Sequence, residues 1–237
     1  MANQLDGRVI AIAGAGGGLG PVVAKVLADA GATLALTDRS QELLDRLTSE
    51  LGLPDGRVDA RAVDLLDPEA AREWATALTK RFDHIDGLLH LVGGWRGGQP
   101  LSEAPLEDYE LLEKLLIRTV IHTTQAFHDA LASSDHGRFV LVSSSQAQSP
   151  EGTNAAYSAT KAAAESWTLA LADSFDSTKA TANILVVNAI VTPRMREEEP
   201  DNDFPTFTSA EDIAATIVYL CSDAAQKMNG KRLSLHP

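Results

Sequence analysis

Short, largely apolar runs alternate with amphipathic stretches along the whole chain, and this alternation constrains the fold more than any single motif does. Runs at 9–13, 33–37, 58–63, 87–92, 138–142 and 182–187 read as strands, with a last short one at 231–235. Helical spacing of apolar positions fills 21–30, 40–51, 68–82, 106–132, 154–175 and 209–222. A strand wetted on one face alternates apolar and polar residues, whereas a strand covered on both faces is apolar nearly throughout. These runs are mostly of the second kind. The sequence therefore predicts an α/β fold, a doubly wound and mostly parallel sheet with helices on both faces. No repeat, low-complexity tract or linker interrupts the pattern, so a single domain is expected over 1–237. In such sheets ligands bind beyond the carboxyl ends of the strands, near the point where strand order reverses. Residues that follow strands are the ones to inspect.

Charge narrows the partners. The chain carries 33 acidic and 20 basic residues, a formal net charge of −13, with no basic cluster. That balance argues against nucleic acid and anionic membrane surfaces. No apolar run approaches the roughly 18 residues of a membrane span. Residues 1–6 lack a basic segment and lead into glycines, so no signal peptide is expected. Cys221 is the sole cysteine, which excludes an internal disulfide and a cysteine zinc site, and its apolar setting predicts an inert core thiol. His122 and His128 lie six apart on one helix, which is no ligand spacing, so no metal site is expected. These features together predict a soluble cytoplasmic protein.

The first strand runs into Gly14-Ala-Gly-Gly-Gly18-Leu19-Gly20, which opens a helix. Glycines permit a tight turn and let a pyrophosphate approach the free N–H groups of a helix start. Gly14, Gly18 and Gly20 give G-x-x-x-G-x-G, and Gly14, Gly17 and Gly20 give G-x-x-G-x-x-G. Asp38 ends the second strand. A carboxylate there accepts hydrogen bonds from both hydroxyls of an adenosine ribose and repels a 2′-phosphate. NAD is therefore preferred, although the neighbouring Arg39 keeps NADP open. Asp38 has a second reading as helix N-cap, a role open to Ser40 as well. Asp64, after the third strand, either touches the adenine or caps the helix near Pro68.

Tyr157 and Lys161 stand one helical turn apart on one face. An ammonium beside a phenol favours the phenolate, and a phenol so tuned passes a proton to or from a substrate oxygen. Ser144, at the end of the fifth strand, supplies a hydroxyl to hold that oxygen. In this order and spacing, Gly14, Gly18, Gly20, Asp38, Ser144, Tyr157 and Lys161 resemble the single-domain short-chain dehydrogenase/reductase family, whose fold is the Rossmann type. The resemblance extends from Gly7 to about Gly230. It implies an NAD(P)-dependent oxidoreductase that moves a hydride between the nicotinamide and a carbonyl or alcohol substrate. It implies that Tyr157 is the general acid/base, that Lys161 also binds the nicotinamide ribose, and that Ser144 orients the substrate. It further implies that Leu19 and Gly93 lie against the cofactor, that Ile190 and Thr192 hold the nicotinamide carboxamide, and that 192–208 is a substrate lid that orders on binding.

Several positions depart from the family pattern. Ala13 replaces a threonine, His90-Leu-Val-Gly93 replaces Asn-Asn-Ala-Gly, Val187-Asn188 replaces Pro-Gly, and Leu116 falls where a helical asparagine supports a proton-relay water. His90 is expected to be a buried, hydrogen-bonded residue rather than a catalyst. The segment Gly93-Gly-Trp95-Arg96-Gly-Gly98 locally resembles dihydropteridine reductase, which makes a quinonoid dihydropterin an alternative substrate, though that enzyme lacks the serine retained here as Ser144. Trp95 either flanks the nicotinamide or packs on its loop. Arg96 either binds an anion or is solvated, and Glu197–Glu199 is expected to be solvated. A non-catalytic NAD-binding regulator is a further reading, supported only by Leu116. A nucleotide-sugar epimerase would need more chain after the sixth strand. The family usually forms homodimers or homotetramers through the helices at 106–132 and 154–175, and the same is expected here.

Overall fold

The computed structural model describes residues 4–236. Residues 1–3, which belong to the signal-peptide reading, and residue 237, which ends the expected domain, lie outside the described residues. Strands β1 (Val9–Ala13), β2 (Thr33–Asp38), β3 (Val58–Ala62), β4 (Gly87–His90), β5 (Arg138–Ser144), β6 (Thr181–Val187) and β9 (Arg232–Ser234) form one sheet in the order β3-β2-β1-β4-β5-β6-β9. Each neighbouring pair in it is parallel. Strand order reverses between β1 and β4, which opens a crevice at their carboxyl ends.

Helices α1 (Gly20–Asp29), α2 (Gln41–Leu51) and α8 (Ala210–Cys221) cover one face. Helices α3 (Pro68–Phe82), α5 (Thr119–Ser133) and α6 (Ala155–Ser174) cover the other. Because both faces are covered, β1, β4, β5 and β6 are buried at every position. That burial is the physical reason their sequences do not alternate. On the second face Trp74 of α3 meets Phe127 of α5 edge-on, with ring centroids 4.9 Å apart. Burying an aromatic ring of this size contributes about 2–3 kcal/mol.

Boundaries shift from the sequence reading in a few places. The stretch at 106–132 is helical but not uniform. It consists of α4 (Leu106–Glu113), a π-helical turn over Lys114–Arg118, and α5. The strand expected at 138–142 continues to Ser144, and the one at 87–92 stops at His90. The segment 192–208 is more ordered than an open lid. β7 (Ala189–Val191) pairs in parallel with β8 (Phe207–Ser209), and α7 (Pro193–Glu198) lies between them. Phe204 anchors the turn, 5% exposed and edge-on to Phe207. Among the described residues no helix is long and apolar enough to cross a membrane, and no cluster of three or more potential metal ligands occurs. Cys221 is buried, which pushes its thiol pKa up to about 12 and leaves it inert near neutral pH.

Candidate active site

The crevice at the carboxyl ends of the strands has two adjoining sections. Gly14, Asp38, Arg39, Asp64 and Thr119 belong to the first, and Gly18, Trp95, Tyr157, Lys161, Ile190 and Thr192 to the second. Gly17, Leu91, Val92 and Gly93 line both, so the two sections are continuous.

The glycine turn is shaped by close approach. Gly14 has φ +85°, and a Cβ there would lie 2.8 Å from the Val92 backbone nitrogen. A Cβ on Gly20 would overlap the Ala15 carbonyl oxygen. Gly18 is different, since a Cβ there would meet only Thr192 Cγ2, at 3.8 Å. No internal contact demands glycine at that position; a side chain would instead occupy the crevice. The start of α1 points the same way. Its N-cap is Leu19, which offers no capping side chain, and its first turn holds no acid. Helices α2, α3, α7 and α8 are capped by Ser40, Asp67, Thr192 and Ser209, whereas α4 and α6, like α1, have no side-chain cap. The free N–H groups of α1 are left to an anion such as a pyrophosphate. The donor set and the space beside Gly18 fit a dinucleotide.

The structure separates the alternatives left open for the acidic residues. Ser40 caps α2 by accepting from Leu43 N at 3.3 Å. Asp38 instead secures the turns at the crevice, accepting from Gly16 N at 3.2 Å and from Arg39 N at 2.8 Å. Asp67 caps α3 through Glu69 N at 2.9 Å. The capping role considered for Asp64 is thus filled by a neighbour, and Asp64 lines the crevice while accepting from Leu66 N at 3.0 Å.

Ser144 ends β5, and its hydroxyl hydrogen-bonds the Tyr157 phenol, drawing the phenol pKa down. Burial is the larger effect and pushes that pKa up, so the net shift is above the ordinary tyrosine value. This corrects the expectation that Lys161 lowers it. The Lys161 ammonium stands 5.9 Å from the tyrosine ring centroid and donates to the Val142 carbonyl at 2.9 Å. Burial pushes the Lys161 pKa down to about 8, partly opposed by Glu165. His90 is fully buried, which pushes its pKa down to about 3, with the Lys161 charge adding to the effect. Its Nε2 lies 3.1 Å from Thr119 Oγ1, while that hydroxyl donates to the Leu115 carbonyl at 2.6 Å. The imidazole is therefore neutral with its proton on Nε2, and Nδ1 is an acceptor without a protein partner among the described residues. Leu116 is buried within the π-helical turn and offers no side-chain donor or acceptor.

Ile190 lies on β7, and Thr192 caps α7 through Met195 N at 3.3 Å. Asn188 reaches the Thr206 carbonyl at 3.2 Å and ties the segment's two ends together. Trp95 is 53% exposed and lines the crevice together with Tyr157. Arg96 is exposed and turns back to the Trp95 carbonyl at 2.8 Å. The acids at 197–199 are exposed, as expected, although Glu198 pairs with Arg194 at 2.7 Å. Sequence reasoning missed Glu165, Arg232 and Ser143, which form a hydrogen-bonded group behind Lys161. The available signal was an acid one helical turn after Lys161 within a run of alanines.

Comparison with known proteins fits this geometry. Residues 8–203 match the family described as short chain dehydrogenase, and the chain belongs to that family. It is accordingly an oxidoreductase that uses a nicotinamide cofactor on a small-molecule substrate. The 3-oxoacyl-(acyl-carrier-protein) reductase FabG of Thermotoga maritima is 28% identical over 244 residues, covering 98% of this chain and 97% of its own. A short-chain dehydrogenase/reductase from Brucella melitensis, titled glucose/ribitol dehydrogenase, superimposes with a TM-score of 0.86 at 27% identity, covering 99% and 97% of the two chains. A short chain dehydrogenase from Shigella flexneri 2a, solved with NADP, superimposes with a TM-score of 0.88 at 25% identity, covering 99% of each chain.

Proposed function

We propose that this chain catalyses reversible hydride transfer between NAD(H) and a carbonyl or alcohol substrate, with Tyr157 as the general acid/base. The observation that carries the reading is that Tyr157, hydrogen-bonded to the buried Ser144, lines one section of the crevice together with Lys161, while the glycine turn and Asp38 line the other. When bound, the nicotinamide supplies or accepts the hydride. The protein's task is to orient the substrate oxygen and manage its proton. Ser144 holds that oxygen beside the phenol. Tyr157, with its pKa raised, stays protonated near neutral pH and donates, which suits reduction of a carbonyl. Lys161 stays charged below about pH 8 and lines the crevice, where it would bind the ribose hydroxyls of the cofactor. Leu19, Gly93, Ile190 and Thr192 line the same section as Tyr157 and would hold the nicotinamide end of the cofactor.

NAD is preferred over NADP because Asp38 holds a carboxylate between the Gly16 and Arg39 backbone N–H groups, where a 2′-phosphate would approach it. Arg39 is exposed beside it, and a relative binds NADP, so the preference rests on Asp38. The exposed Trp95 favours a second reading, a flat aromatic substrate such as a quinonoid dihydropterin stacked on the indole. Assembly into dimers or tetramers through α4, α5 and α6 is supported by exposed Leu106, Tyr109, Leu111 and Leu169. A cytoplasmic setting is supported by the lone, buried thiol of Cys221.

The test is oxidation of NADH and NADPH by the purified protein with ketones, diketones, quinones and quinonoid dihydropterin. Turnover of simple carbonyls with NADH is expected. Turnover of the pterin alone selects the second reading, and a preference for NADPH refutes the role given to Asp38.

A further inference from the structure

Three consecutive residues at the carboxyl end of β5 are each gripped by a different charged side chain. Lys161 Nζ donates to the Val142 carbonyl at 2.9 Å. The Ser143 hydroxyl donates to Glu165 Oε1 at 2.6 Å. Arg232 of β9 donates to the Ser144 carbonyl at 3.4 Å. The grips are themselves joined, because Arg232 donates to both Glu165 oxygens, at 2.8 and 3.3 Å. Lys161 and Glu165 lie one turn apart on the same face of α6. The Glu165 side chain is 6% exposed and that of Arg232 is 22% exposed.

We propose that Glu165 and Arg232 are positioning residues for the catalytic centre, a charge clamp that holds Ser143 and the Ser144 backbone and sets the charge field at the Lys161 ammonium. A buried ion pair is weak evidence of stability, since apolar residues of similar volume often serve as well or better. Its value here lies in the buried cation one turn away on α6, Lys161. Of the groups around Lys161 and the residues they bond, Tyr157 on α6 is an un-ionised phenol and His90 on β4 is neutral. Ser143 and Ser144 on β5 and Thr119 on α5 carry no charge. Glu165 is the only anion in this set, and Arg232 is the only other cation. The carboxylate keeps Lys161 charged in a dry setting, and the guanidinium limits how strongly it does so.

The inference rests on the role given to Lys161 above, so its test reads the lysine directly as well as through the cofactor. The Lys161 side chain is titrated by NMR with labelled lysine, assigned with Lys161→Met, and NADH affinity is measured across the same pH range. In the wild type the ammonium is expected to titrate near pH 8. Glu165→Gln removes the one anion that supports the buried ammonium and leaves Arg232 unpaired nearby, and the midpoint is expected to fall by about one pH unit or more. Arg232→Met leaves the carboxylate unopposed, and the midpoint is expected to rise by about one unit. Arg232→Lys keeps the charge and the wild-type midpoint. NADH affinity is expected to weaken at the pH where each variant loses the lysine proton. Midpoints that stay put while melting temperatures fall would make the group a structural tie only and overturn the proposal. Shifts of the same sign in Glu165→Gln and Arg232→Met would overturn it too. If the midpoints move in opposite directions but no variant binds NADH, the clamp stands and the cofactor reading fails.

Discussion

Lys161→Met is expected to make the protein more stable and useless. The lysine is 7% exposed and spends one N–H donor on the Val142 carbonyl. Burial lowers its pKa from 10.5 to about 8. At about 1.4 kcal/mol per pKa unit, keeping it charged in the folded state costs about 3 kcal/mol. Methionine has similar length and no charge, but it forfeits a hydrogen bond worth about 1 kcal/mol. The variant should therefore gain about 2 kcal/mol near neutral pH. The folded-state pKa lies below the unfolded value, so between about 8 and 10.5 the unfolded chain binds more protons and wild-type stability rises with pH relative to the variant. The variant's advantage should shrink through that window and reverse above it. Urea unfolding of both proteins at neutral pH and above the window measures the difference with other titrations cancelled. A variant less stable than wild type at neutral pH, or a difference that does not change with pH, would refute the reasoning.

The remaining expectations concern the cofactor cleft. Asp38→Ser removes the carboxylate but leaves Arg39, so NADPH should gain on NADH by about tenfold or more in kcat/KM; an unchanged ratio contradicts the assignment. Gly18→Ala should fold with wild-type stability yet bind NADH at least about tenfold more weakly, because its Cβ enters the crevice and not a neighbour. Gly20→Ala should instead lower stability by about 2 kcal/mol or more, because its Cβ overlaps the Ala15 carbonyl. Thermal unfolding with NADH titration separates the two glycines, and equal behaviour contradicts the account.

Much of the fold was legible because burial on both faces leaves strands such as β1 and β6 apolar at nearly every position. The glycine turn was legible because a sharp turn and a close helix start leave little choice at Gly14 and Gly20. Asp38 and Asp64 each had a competing capping role, and sequence could not divide the work. Tertiary hydrogen bonds did so, giving the caps to Ser40 and Asp67. The β7–β8 pair escaped notice because three-residue strands joined by a helix carry almost no periodic signal. The shift of the Tyr157 pKa was misread for a related reason. Sequence spacing reveals a neighbouring lysine but not the burial that outweighs it, nor that Lys161 turns toward Val142. Glu165 stands one turn from Lys161 and was within reach. Its partner Arg232, 67 residues further on, was not.

The central claim is that Tyr157 handles the proton while the rest of the crevice holds the cofactor. It is tested most directly by Tyr157→Phe, with NADH oxidation and NADH binding measured side by side on the substrate the wild type turns over. The account predicts turnover reduced by about a hundredfold or more with NADH affinity within a few-fold of wild type. Turnover near the wild-type rate, with NADH bound as before, would contradict it.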